Sequence, residues 1–92
     1  MTRVAAVDIG ATSGRVLVIA CDDGALSVEE VHRFPNHPME SDGRWTWDID
    51  ALWMHVVEGL QAAVSTGHID SWGVDTWAVD YGVIDADGRA LG

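Results

Sequence analysis

"DIGATSGRVLVIA", residues 8–20, decides the fold. The run "RVAAVDI" leading into it is short and apolar with its charges at the ends, which predicts a buried strand. "GATSG" then breaks the chain. After the break the chain resumes as "RVLVIA", again strand-like, where a Rossmann or P-loop protein would begin a helix whose dipole holds phosphate. The loop is therefore predicted to be a hairpin tip between antiparallel strands. It also lacks the G-x-G-x-x-G spacing, so the two commonest nucleotide-binding folds are disfavoured.

The loop still carries a phosphate-binding chemistry. Gly10 and Gly14 permit positive φ, which would turn backbone N–H groups inward as an anion nest. Thr12 and Ser13 add hydroxyl donors, and Arg15 adds a fixed positive charge. Asp8 stands at the end of the first strand, where a carboxylate can hold Mg²⁺ through water. A plain structural turn is the competing interpretation, with Asp8 as its cap and Arg15 solvated. An acid ending an otherwise apolar strand favours the functional one.

Working outward, "CDDGA" turns the chain again and "LSVEEVHRF" reads as a third strand, stopped by "PNHP". Three strands joined by short glycine-bearing turns imply an antiparallel meander. Residues 36–47 read as a polar connection. "DIDALWMHVVEGLQAAVSTG" is the one helix, with Leu52, Val56, Leu60 and Ala63 on one face and Trp53, Val57 and Val64 flanking it. Asp48 or Asp50 caps its start and Gly67 lies just past its end. "HIDSWGVDT" is a fourth strand, and "AVDYGVIDADGRALG" a hairpin turning at "DADG". The expected fold is α+β, one mixed sheet with one helix on a face and the other face bare and apolar.

Composition narrows the function. The 92 residues, 48% hydrophobic, suffice for a single small domain. The net charge of −10, from 5 cationic and 15 acidic residues, argues against nucleic acid and anionic membranes as partners. All the cations are arginine; the absence of lysine excludes a Walker A loop and Schiff-base chemistry. Cys21 is the only cysteine, so no internal disulfide forms. With the N-terminal apolar run too short for a signal core, a cytoplasmic location is expected. Four histidines (His32, His37, His55, His68) show no H-x-x-x-H or Cys-His spacing and are expected to be structural rather than metal ligands. "DADGR" shares the opening of an EF-hand loop without its later ligands. Trp45, Trp47, Trp53 and Trp72 are expected in the core.

"VDIGATSGR", "EVHRFPN", "WDIDALW" and "GVDTWAVDYGVIDADGRALG" together resemble the N-terminal part of the rhamnulokinase family, within the FGGY carbohydrate kinases, across essentially all 92 residues. The resemblance implies a ribonuclease-H-like core of the actin and hexokinase type, of which residues 1–92 form an incomplete first domain. It implies phosphoryl transfer from ATP, with Mg²⁺, to the 1-hydroxyl of L-rhamnulose. Ala11, Thr12, Ser13, Gly14 and Arg15 match the family's ATP-contacting loop, and Asp8 its metal-side acid. Trp77, Ala78 and Asp80 fall in the family-specific sugar segment: Trp77 to stack on the sugar or to pack, Asp80 to hydrogen-bond it or to hold the hairpin. Ala78 replaces the usual glycine there. The family's catalytic aspartate lies beyond residue 92, so these residues alone are expected to be inactive and to self-associate through the bare sheet face. Another FGGY kinase acting on a different ketose, and a non-catalytic actin-like nucleotide-binding or assembly module, are the alternatives.

Overall fold

Three successive segments rich in apolar residues, separated by short turns, build the expected meander. In the computed structural model, which describes residues 1–76, 78 and 80–91, β1 (Thr2–Ile9), β2 (Ser13–Asp22) and β3 (Ala25–Pro35) pair antiparallel in chain order. The β2–β3 turn places Asp23 and Gly24 at φ 54° and 81°. Both central residues of a type I′ turn need positive φ, and Asp-Gly supplies them at low cost.

The connection at 36–47 is not merely polar coil. It contains a small hairpin, β4 (Met39–Ser41) and β5 (Arg44–Thr46), turning at Asp42 and Gly43 with φ 51° and 73°. The same Asp-Gly signal was present in the sequence, but three-residue strands are too short for alternation to reveal.

The helix α1 (Ile49–Ser65) is capped by Asp48, whose Oδ1 accepts from the Ala51 N–H at 3.0 Å. Asp50 lies inside its first turn. Thr66 closes the other end and Gly67 follows at φ 139°. Of the predicted face, Val56 and Ala63 are fully buried and Leu60 packs against them. Gly59 joins that face because a Cβ there would overlap Val16. The helix thus sits unusually close to β2.

After α1 the chain returns as β6 (Ser71–Thr76), parallel to β1, giving the sheet order β3-β2-β1-β6. The strand starts three residues later than the sequence implied, because His68–Asp70 is spent on a clasp. Arg3 donates to the Thr66 hydroxyl and the His68 carbonyl, both at 2.8 Å, and exchanges two bonds with Asp70. The Arg3 N–H to Asp70, first among its causes, holds the Asp70 carboxyl below the usual carboxylate range. The final hairpin, β7 (Val83–Ile84) with β8 (Ala90–Leu91), turns where predicted; Asp85 Oδ1 accepts from the N–H groups of Asp87 and Arg89.

Ala5, Val7, Val16, Val18, Val56 and Ala63 form the core between α1 and the sheet. The helix crosses β1, β2 and β3 and does not reach β6. Three tryptophans expected in the core are consequently exposed: Trp45 at 71%, Trp53 at 59% and Trp72 at 52%. One helix cannot cover four strands and a projecting hairpin. On the opposite face Val4, Ala6, Leu17, Ile19 and Val28 form an apolar band with nothing packed over it among the described residues. No described helix is long and apolar enough to cross a membrane.

Candidate phosphate-binding hairpin

The β1–β2 tip is closed by the Gly10 N–H, which donates to the Ser13 carbonyl at 2.9 Å. It is then clamped from outside. Asn36, only 7% exposed, donates through Nδ2 to the Gly10 carbonyl at 2.8 Å and through its backbone N–H to the Thr12 carbonyl at 3.1 Å. Two carbonyls of the loop are thereby turned away from any ligand, while Ala11 and Thr12 stay exposed at the tip and Ser13 half-exposed. Sequence reasoning did not single out Asn36 as a site residue. A polar residue after a strand-ending proline was the available signal.

The glycines act differently from expectation. Neither Gly10 nor Gly14 has positive φ, so no left-handed nest forms at them. At Gly10 a Cβ would stand 3.1 Å from the Ser13 carbonyl oxygen, a tight contact that glycine avoids. Gly14 is buried beneath the Phe34 ring, where a Cβ would lie 2.5 and 2.6 Å from Cε2 and Cε1 and closer still to Cζ. Its role is to admit that ring.

Arg15 is not a free loop charge. It lies in β2 opposite Asp8, and its Nε donates to Asp8 Oδ2 at 3.2 Å, both side chains being nearly half exposed. Such a pair contributes roughly 0.2–1 kcal/mol, little enough for a ligand to rearrange it. Across the open face the register sets Asp75, Asp8, Arg15 and Arg33 in one row, since paired residues on adjacent strands share a face. Arg33 is itself engaged by Glu30 at 2.6 Å, a bond that raises its pKa further. The row therefore ends in two neighbouring carboxylates, Asp8 and Asp75, beside the hairpin tip. Their juxtaposition was invisible before the parallel pairing of β1 with β6 was known.

In the segment that follows β6, Ala78 is exposed. Asp80 Oδ1 accepts from the following Tyr81 N–H at 2.8 Å, holding its own turn. Trp77 lies outside the described residues. Because β6 ends at Thr76, Asp80 does not belong to the strand that carries Asp75. Two histidines distant in sequence meet in the fold: His32 on β3 and His55 on α1 come together with Glu58.

No protein-family profile matches the chain. Among curated proteins it is similar to a rhamnulokinase of Bacteroides thetaiotaomicron, 46% identical over 75 residues, covering 75% of this chain and 16% of that one. A Bacillus subtilis rhamnulokinase is 42% identical over 92 residues, covering 94% and 18%. A Klebsiella pneumoniae rhamnulokinase is 43% identical over 90 residues, covering 95% and 18%. The chain spans less than a fifth of the length of these relatives. By sequence, then, it belongs with the rhamnulokinases, as a segment of the length that they have.

Proposed function

We propose that this chain is the N-terminal part of a carbohydrate kinase that transfers the terminal phosphoryl group of MgATP to the 1-hydroxyl of L-rhamnulose. The observation that carries this reading is the pair of adjacent carboxylates, Asp8 and Asp75, at the strand ends beside a clamped hairpin tip that offers hydroxyls. The similarity to rhamnulokinases supports it independently. The sheet order, an antiparallel meander joined by one helix to a parallel fourth strand, supports a ribonuclease-H-like core of the actin type.

The donor set suits the nucleotide's phosphates. Thr12 and Ser13 donate hydroxyl hydrogen bonds to phosphate oxygens at the tip, with Ala11 letting the backbone approach and Gly14, buried beneath Phe34, supporting the tip from below. Arg15 exchanges its Asp8 partner for phosphate oxygen, which frees Asp8 and Asp75 to hold waters of the metal. Magnesium, when bound, neutralises charge on the transferring phosphoryl group. Ala78 and Asp80 serve the sugar side, the role that the resemblance also gives Trp77. Phosphoryl transfer needs both sides of a cleft, and this segment provides one. The catalytic base lies outside it, so residues 1–92 alone turn over no substrate.

The test is a coupled assay on the longer protein that carries this segment, with L-rhamnulose and other ketoses offered in parallel. Asp8→Asn should lower kcat/KM at least ~100-fold with Tm preserved. Activity that survives Asp8→Asn, or rhamnulose turnover by residues 1–92 alone, would sink the reading. The resemblance favours a second one: Ala78 stands where the family usually has glycine, and its added methyl group suits a different ketose. Preference for another sugar, reverting to L-rhamnulose in Ala78→Gly, would establish it. Stabilisation by MgATP with no sugar phosphorylated would instead mark a non-catalytic nucleotide-binding module.

A further inference from the structure

Three side chains that the sequence keeps far apart meet on the helix side of the sheet. His32 comes from β3, where a bulge opposite Val16 and Leu17 inserts Val31 as an extra residue. The bulge lets Val31 pack on the core while His32 still faces α1. His55 and Glu58 stand one turn apart on α1. Gly59 makes room for the imidazole, since a Cβ there would come within 3.3 Å of His32 Cδ2.

The ligand atoms converge on a point. His32 Nε2 is 3.4 Å from His55 Nδ1 and 3.8 Å from Glu58 Oε2, and His55 Nδ1 is 3.7 Å from the same oxygen. The point equidistant from three atoms so spaced lies about 2.1 Å from each, within the range of Zn–N and Zn–O bonds. A hydrogen-bond cluster explains the geometry less well. Neutral imidazoles facing through these two nitrogens share at most one proton, and 3.4 Å is long for the bond it would make. The rings are also held before any ion arrives: His55 stacks on the buried Phe34 at 4.4 Å and 3°, and His32 lies 5.8 Å from the same ring.

We propose that His32, His55 and Glu58 form a zinc-type metal site that fastens α1 to β3, with its fourth position open to water on the exposed Glu58 side. Two imidazoles and one carboxylate suit zinc and its neighbours in the transition series. Magnesium prefers six oxygen ligands and is a poor occupant. The site lies on the opposite face of the sheet from the Asp8–Asp75 row, so it is separate from any ion that accompanies nucleotide phosphates. Each imidazole would ligate as the neutral ring, with its one N–H on the nitrogen that faces away from the ion.

The test uses the full chain stripped with EDTA and titrated with ZnCl₂ by calorimetry, beside MgCl₂. One zinc per chain is expected, and zinc at about 100 times its Kd should raise Tm by roughly 10 °C or more. Cobalt(II) should give visible absorption of four-coordinate intensity. His55→Phe, which keeps a ring on Phe34, should remove the cobalt band and weaken zinc at least ~30-fold, and the exposed Glu58→Gln should weaken it about 10-fold. Zinc binding unchanged in both variants would place the ion among other acids or at Cys21 and overturn the proposal. So would the absence of saturable binding below about 1 mM zinc, a Kd equivalent of roughly −4 kcal/mol.

Discussion

Gly14→Ala is expected to be severely destabilising although it adds one methyl group. The new Cβ would sit 2.5 and 2.6 Å from Cε2 and Cε1 of Phe34 and closer to Cζ, where relaxed carbon contacts need about 3.5–4.0 Å. The ring must therefore retreat by an ångström or more. It has little room to do so, being 1% exposed and stacked at 4.4 Å on His55 behind it. Overpacking of this kind costs typically ~1–3 kcal/mol, and a trapped ring lies at the upper end. Against this, replacing glycine in a strand stabilises by only about 0.5–1 kcal/mol. The clash wins by roughly 2 kcal/mol, which for a domain of this size lowers Tm by about 8–16 °C. Thermal unfolding followed by circular dichroism reads this directly. Phe34→Leu should relieve the clash, so the double variant should fall short of the summed single losses by at least ~1 kcal/mol. A Gly14→Ala chain melting within ~3 °C of the parent, or strict additivity with Phe34→Leu, would refute the account of Gly14.

Gly59→Ala gains helix propensity of about 1 kcal/mol yet drives a methyl into Val16, so a net Tm decrease is expected, with Val16→Ala as its suppressor. Asn36→Ala leaves the half-buried Gly10 carbonyl without its side-chain partner and should cost about 0.5–1.5 kcal/mol, read as a lower urea midpoint with unchanged m. The Asp70 carboxyl has a depressed folded pKa, so its contribution is present above the unfolded carboxylate value and fades as pH falls through the folded one. Asp70→Asn should therefore be less stable than the parent at pH 6, with the gap closing on acidification below about pH 4. Chemical denaturation at a series of pH values checks this, and a gap that persists at pH 2 would contradict it.

The meander was legible because short apolar runs and the glycine-bearing turns between them both act locally. The helix was legible from its apolar face and from Asp48. What escaped depended on pairings between distant segments. Asp75 became a neighbour of Asp8 only through parallel pairing of strands more than sixty residues apart. His32 reached His55 through a bulge, an irregularity without a sequence signature here. The loop glycines were assigned to the wrong physical cause: backbone freedom was legible as a possibility, whereas the ring that excludes a Cβ at Gly14 became visible only when β3 was laid beside β2. The tryptophans misled because hydrophobicity marks what prefers burial, and one helix over three strands cannot supply it for all of them.

The Asn36 clamp has a kinetic consequence. The hairpin tip takes its shape from a residue at the far end of the next strand, so it is not a local structure that a short peptide would adopt. β3 is an edge strand, and whenever its end frays the carbonyls of Gly10 and Thr12 lose their donors together. Order in the tip is thus borrowed from the edge, and the bonded amide hydrogens of Gly10 and Asn36 should exchange at the pace set by opening of β3 rather than by the loop itself.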